Sequence, residues 1–265
     1  MWMMMNTPRL NKQEIDARLC AEVADIRVFS EIDSTNAEAR RLALSGVQHA
    51  VLLVAEQQSA GRGRLGRSFY SPDGTGIYMT YLWQPNAVAG DVISATTAAA
   101  VAVHRALCSI PSIAGNSLSI KWVNDIYLSD KKVCGILAEA ITNPQNGRID
   151  SMWIGIGINV APMIFPDELS HIATSLGDHR IDRNELIARI VDELCQVLCD
   201  DDKYAHMSYY RDHSMVIGRA VNTICGEKTV PGIVLDIDRE GGLIVERPDG
   251  TEEVIRSGEI SLRLV

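Results

Sequence analysis

The sequence predicts an α/β (α+β) chain in two parts: a mixed helix-and-strand domain, then a small β module from Gly218 onward. Three observations predict it. Strand-like runs alternate with segments of helical periodicity as far as residue 217. Within that region three strand-like runs follow one another across short turns, as the strands of a meander do. Beyond Gly218 the helical period disappears, and short runs rich in β-branched residues alternate with turn sequences. The limits are 1–25 for a short N-terminal segment, 26–217 for the main domain and 218–265 for the β module.

Taken in order, Asn11 is a suitable N-cap for a helix over 12–19, and 26–29 reads as a strand. In EIDSTNAEARRLALSG, Thr35 and Glu38 stand at capping-box spacing and Gly46 suits the position after a helix end, which predicts a helix over about 35–45. Residues 51–55 form a buried strand, and 77–83 another. The stretch 91–109 carries Val92, Thr96, Ala99, Ala100, Val103 and Leu107 at helical spacing, with enough alanines to imply close packing against a sheet. Strands are expected over 118–123, 133–141 and 149–160, joined by turns at NDIYLSDKK and NPQNG. Asp182 with Glu185 opens a helix striped by Leu186, Ile190, Leu194, Val197 and Leu198. The β module reads AVNTIC, TVPGIVLDID, LIVER, EEVIRS and ISLRL, punctuated by GEK, REGG and PDG. It is too short for a large core of its own and is expected to lean on the main domain.

Composition narrows the function classes. At 265 residues, 46 % apolar and 22 % charged, the chain matches an ordinary globular protein. A net charge of -9 provides no overall positive field to attract nucleic acid, so a locally basic loop suggests a small anionic ligand. No apolar window reaches the length of a membrane span, and MWMMMNTPRL lacks a signal-peptide pattern, which points to the cytoplasm. The six cysteines form no C-x-x-C pair and read as reduced thiols. Cys195 and Cys199 with His206 and His213 imitate a metal site, but their segment is strongly helical; they read as helix-face residues, and no metal is assigned to protein ligands.

The stretch 57–69, QQSAGRGRLGRSF, matches G-x-G-x-x-G at Gly61, Gly63 and Gly66. A dinucleotide fold would need a helix immediately afterwards, whereas turns and a strand follow. The Gly-Lys-Ser/Thr of a P-loop and the companion motifs of a kinase are missing. What remains is a strand–loop–strand unit with a mobile backbone and three guanidinium forks, Arg62, Arg64 and Arg67, suited to carboxylate and phosphate oxygens. The alternative is a plain exposed Gly/Arg surface loop.

Two further segments weigh against that alternative. In IKWVND, alternation sets Lys121 and Val123 on one face and Ile120 and Trp122 on the other; a lysine there either meets an anion or reaches water from an edge strand. DSTN, residues 33–36, either caps a helix or grips a polar ligand. In WIGIGINV, Gly155 and Gly157 share one face and leave a hollow beside them.

Together these segments closely resemble the biotin protein ligases. DSTN, QQSAGRGRLGRSF, KWVNDIYL, KKVCGILAE, IGIGINV and the closing GEISLR occur in the family's order, over nearly the whole chain from about Ile26. The resemblance implies a mixed-sheet catalytic domain of the biotin/lipoate ligase type with a C-terminal SH3-like barrel, working with ATP and Mg²⁺. Biotin and ATP give biotinyl-5′-AMP and pyrophosphate, and a lysine of the biotin carboxyl carrier protein of acetyl-CoA carboxylase then attacks the adenylate. It implies Lys121 and Arg64 as catalytic groups, Lys121 bridging the biotin carboxylate and the α-phosphate. Ser34, Thr35, Asn36, Gln58, Gly61, Arg62, Gly63, Arg64, Lys121, Gly135, Gly155 and Gly157 would line the biotin site. Arg62, Arg64, Arg67, Phe69, Asn124, Lys132 and Asn159 would contact ATP.

The chain departs from the family where Val123 replaces the usual proline and Phe69 a common tryptophan; neither position bears charge. About 25 residues precede the catalytic domain, too few for the winged helix-turn-helix of the repressor members, so no specific DNA binding is expected. No membrane partner is expected either, and a homodimer is left open. Two other readings also stay open. A non-catalytic biotin or adenylate sensor would not need Lys121, and a lipoate-type ligase or acyltransferase usually lacks this arginine loop followed by a barrel. The loop 61–71 is expected to be mobile without ligand and to close over the adenylate as a lid.

Overall fold

The computed structural model describes residues 8–262 except 86, 89, 114–116, 179, 226–227 and 257. Seven strands form one sheet: β1 (Asp25–Phe29), β2 (Val51–Ala55), β3 (Gly76–Trp83), β4 (Leu118–Lys121), β5 (Asp125–Leu128), β6 (Lys131–Thr142) and β7 (Ile149–Asn159). Their order is β1-β2-β3-β7-β6-β5-β4. The β1–β2 pair is parallel and the others are antiparallel, so the sheet is mixed. A parallel pair needs a crossover, which helix α2 (Thr35–Leu44) supplies.

Several local expectations are corrected. The first helix, α1 (Lys12–Asp16), has the Asn11 cap but stops short of residue 19. In α2 the N-cap is Ser34, whose Oγ lies 3.5 Å from the Ala37 amide, and Glu38 accepts from Arg41 instead of closing a capping box. Thr35 is thereby left inside the first turn with its hydroxyl available. The turn expected at NDIYLSDKK contains β5, paired on one side with β4 and on the other with β6. The three residues between Asn-Asp and Ser-Asp, Ile126 to Leu128, carry too weak a local signal; the two flanking ladders satisfy their backbone instead. The strand expected over 118–123 ends at Lys121, and the alternation breaks there: Trp122 and Val123 are both buried, at 4 % and 7 % exposure.

Helix α3 (Asp91–Cys108) is buried on nearly every side, because the sheet lies against one face and α5 (Arg183–Leu198) against another. Its run of alanines permits that close approach. Asp182 caps α5 as expected, accepting from the Asn184 and Glu185 amides. Two shorter helices, α4 (Asp167–Ser170) and α6 (Met207–Asp212), complete the domain.

The C-terminal module is a five-stranded antiparallel sheet of β8 (Ala220–Cys225), β9 (Lys228–Ile237), β10 (Leu243–Glu246), β11 (Glu252–Ile255) and β12 (Glu259–Leu262). Most of the expected GEK turn and the last residues of ISLRL lie outside the described residues. Val221, Val234, Leu243 and Val245 belong to one apolar cluster with the alanines of α3, so the module does lean on the main domain. Trp122 Nε1 donates to the Gly241 carbonyl at 2.9 Å. Gly241 has φ +87°, and a Cβ there would lie 2.8 Å from Ile93 Cγ2, so both backbone and space require glycine.

The metal-like cluster of the sequence is otherwise engaged. Cys195 Sγ donates to the Tyr81 hydroxyl at 3.6 Å, His206 Nε2 bonds the Thr97 hydroxyl at 2.8 Å, and His213 stacks on Tyr209. Burial holds both His206 and His104 down to about 4. An unfolded histidine titrates near ~6.5, so in the window between these values the unfolded chain binds protons that the folded chain refuses. The stabilisation is complete above that window and is lost as pH falls through it. The melting temperature should therefore fall between pH 7 and pH 5 in a calorimetric series, and His206→Gln should fall less steeply; parallel slopes would refute the assignment.

Candidate active site

A cavity of about 360 Å³ opens where the β2–β3 excursion, the start of α2 and strands β5 to β7 converge. Part of its lining belongs to a connected set of polar groups. The Thr35 amide and hydroxyl donate to Gln58 Oε1 at 2.9 and 3.1 Å, and Gln58 Nε2 donates to Ser71 Oγ at 3.0 Å. Thr80 Oγ1 lies 2.8 Å from Thr35 Oγ1 and 2.7 Å from Asn36 Oδ1. Asn36 Nδ2 donates onward to Glu139 Oε2 at 3.1 Å, which also accepts from Trp153 Nε1. Ser34, Thr35 and Asn36 are all buried. Such a network holds each polar atom in one orientation.

Gly155 and Gly157 do line this wall, but their hollow is not open. A Cβ on Gly155 would lie 1.9 Å from Asn36 Oδ1, and one on Gly157 would lie 2.6 Å from the Phe69 ring. The space the alternation frees is taken by an amide and a ring arriving from distant parts of the chain. Gly135 is similar, with the Lys132 ammonium 3.0 Å and the Phe69 ring 3.4 Å from where its Cβ would be. Phe69 also packs edge-on to Tyr78, whose phenol burial pushes well above its ordinary range.

Five cations, Arg62, Arg64, Arg67, Lys121 and Lys132, also line the cavity. Arg64 Nη1 donates to Asn124 Oδ1 at 2.9 Å and Nη2 to the Gly258 carbonyl at 2.8 Å, so the loop reaches the C-terminal module. Arg62 stands 3.7 Å from Glu139, and Arg67 also lines the cavity. Lys121, at the end of β4, donates to the Tyr127 hydroxyl at 3.3 Å and lies over that ring. Burial, with Asp125 second, pushes Tyr127 upward, so the phenol stays neutral and can accept from the ammonium. Lys132 pairs with Asp125 at 2.6 Å. Asn159 Nδ2 donates to the Thr174 carbonyl at 3.0 Å, while its buried Oδ1 has no protein partner.

Every residue that the resemblance assigns to the biotin or ATP site lines this cavity except Gly61. A Cβ on Gly61 would lie 2.4 Å from the Phe69 carbonyl, so its glycine serves the crossing of the loop over itself. Sequence reasoning missed Tyr127 and Asp125, which line the cavity from a supposed turn, and Thr80, which holds Thr35 and Asn36 from behind the lining and whose polar position within the apolar IYMTYLW was a readable signal. It also missed Tyr70 and Phe165, whose rings meet at 6.4 Å, and Ile260 of the module. Among the described residues no cysteine or histidine lines the cavity. The arrangement suits a ligand that carries both uncharged polar groups and anionic ones, with the cations stabilising its charge.

Comparisons with known proteins place the chain among relatives of known family. Residues 28–159 match the Biotin/lipoate A/B protein ligase family, and 216–263 the Biotin protein ligase C terminal domain. The chain is 34 % identical to the bifunctional ligase/repressor BirA of Bacillus subtilis, over 96 % of this chain and 79 % of that protein. It is 30 % identical to a biotin–[acetyl-CoA-carboxylase] ligase of Mycobacterium tuberculosis, over 88 % and 87 %. The structure of a biotin protein ligase from Aquifex aeolicus, in complex with biotin and ATP, superposes with a TM-score of 0.73 at 29 % identity, covering 91 % of this chain and 99 % of that one.

Proposed function

Because this chain belongs to the biotin protein ligase family, we propose that it joins biotin to ATP as biotinyl-5′-AMP and transfers the biotinyl group to a lysine of a biotin carboxyl carrier protein. The observation that carries the reading is the lining of one cavity both by fixed uncharged hydrogen-bonding groups, Thr35, Asn36 and Gln58, and by the cations Arg62, Arg64, Arg67, Lys121 and Lys132. Biotin's ureido ring needs fixed donors and acceptors, for which Thr35, Asn36 and Gln58 are the supporting groups. Its carboxylate must approach the α-phosphate, anion against anion, and preorganised positive charge lowers that barrier. Lys121 carries this charge without becoming a nucleophile. Arg62, Arg64 and Arg67 act on the phosphates and the departing pyrophosphate. Asn159 Oδ1, buried without a protein partner, suits the exocyclic amine of an adenine.

Magnesium enters as the counter-ion of the nucleotide. Asp125 is the carboxylate that lines the cavity among the described residues, a hard oxygen donor, and Mg²⁺ commonly binds through one or two carboxylates plus phosphate oxygens. The residues present therefore fit it, and bound there it would neutralise phosphate charge. A net charge of -9 gives the chain no overall positive field to attract nucleic acid. Among the described residues no helix is long and apolar enough to cross a membrane. The test is direct: with biotin, ATP and Mg²⁺, mass spectrometry should show one biotinyl addition to a carrier domain, blocked when its acceptor lysine is replaced. No addition to a competent carrier would overturn the reading.

A further inference from the structure

The excursion 56–75 between β2 and β3 carries Gln58, the three arginines and Phe69, yet its two feet are held by residues that touch no part of the cavity. Arg183, the first residue of α5, has a fully buried side chain. Its Nη1 donates to Glu56 Oε2 at 2.8 Å and to the Gly76 carbonyl at 3.0 Å. Those partners are the residue after β2 and the first residue of β3. Its Nη2 donates to the Pro8 carbonyl at 2.8 Å. Glu56 Oε1 accepts from the Leu10 amide at 2.6 Å, and the Gly74 amide donates to the Glu56 carbonyl at 3.2 Å. Arg9 makes a two-bond pair with Asp73, inside the excursion, its Nη2 at 2.9 Å from Oδ2.

We propose that Arg183 and Glu56 are positioning residues for the ligase reaction: together with the strap Pro8–Leu10 they clasp both feet of the arginine loop and set where its guanidinium groups stand. This rests on the ligase reading of the loop. A buried ion pair contributes little to stability compared with an apolar pair of similar volume, so a stabilising role alone does not account for one. A guanidinium fork can bind three segments at once in fixed directions, which an apolar contact cannot do. A rigid base lets the loop close in one register over the adenylate and keep water from the anhydride. Loosening the clasp should spoil closure and leave the cavity chemistry at Lys121 untouched.

The experiment compares wild type with the apolar double variant Glu56→Met/Arg183→Met, and with Arg9→Gln, which removes the exposed pair with Asp73 and the longer 3.7 Å contact to Glu56 while keeping the Arg183–Glu56 pair. Two readouts are taken with biotin and ATP present: hydrogen exchange across 57–75 against 95–107 of α3, and free biotinyl-AMP released per biotinyl transferred. For the double variant, exchange in the loop should rise about tenfold or more with α3 unchanged, and adenylate release should rise severalfold, in keeping with local opening separate from global unfolding. Arg9→Gln should show the same changes at smaller amplitude, and it decides the question if the double variant does not fold. Loop protection and adenylate retention equal to wild type in a folded variant would overturn the proposal. Failure of the wild type to transfer biotin would instead overturn the ligase reading.

Discussion

Replacing Lys121 by alanine should leave the fold intact and cut the rate of adenylation by about a hundredfold or more, the usual cost of removing one preorganised charge from a sheltered site. The side chain is half-buried at the end of β4 and contributes no apolar core contact of the kind Ile120 and Trp122 make beside it, so the melting temperature should change little. Its partner Tyr127 remains a neutral phenol and suffers no stranded charge when the ammonium goes. ATP–pyrophosphate exchange dependent on biotin measures the first half-reaction alone. If the lysine serves the transition state, kcat for exchange falls and the biotin affinity, read by titration calorimetry, moves far less. Wild-type exchange in the variant would remove Lys121 from the mechanism. A loss confined to biotin affinity would make it a binding group only.

Gly155→Ala should weaken biotin binding by about tenfold to a hundredfold, the equivalent of one or two displaced hydrogen bonds at roughly 1–3 kcal/mol each. The new methyl would start 1.9 Å from Asn36 Oδ1. That amide cannot simply turn aside, because Thr80, Leu137 and Glu139 hold both its ends. Something in the network must break, and Thr35 and Gln58 are linked to it through Thr80. Gly90→Ala is the control: its φ is -64° and nothing lies within 4 Å of the added carbon. Calorimetry with biotin should separate the two variants, with lipoate as the ligand that neither should bind. Unchanged biotin affinity in Gly155→Ala would mean that Asn36 does not shape the biotin end of the cavity.

Much of the site was legible because its residues come in short, chemically unusual clusters. Three arginines among glycines, a lysine beside Trp122 and a Ser-Thr-Asn run each depart from what a neutral surface or core would require. Tyr127 and Asp125 were not legible, because Asn-Asp and Ser-Asp pairs around them read as turn chemistry while two neighbouring strands turned that stretch into β5. Ser34 rather than Thr35 capping α2 was a one-residue choice that local propensity cannot make, since both side chains cap well.

By itself the sequence determined the helices with clear caps, the buried strands, the change of character at Gly218 and the placement of charge on one loop. These depend on periodicity, capping and turn chemistry, which act over a few residues and are written locally. Only the tertiary structure decided that Asn36 and Phe69 fill the space beside Gly155 and Gly157, and that Arg64 reaches the Gly258 carbonyl. It alone joined Arg183 to Glu56, 127 positions apart. Contacts of this kind are made between side chains that no period relates, and their geometry exists only once the sheet and α5 have packed.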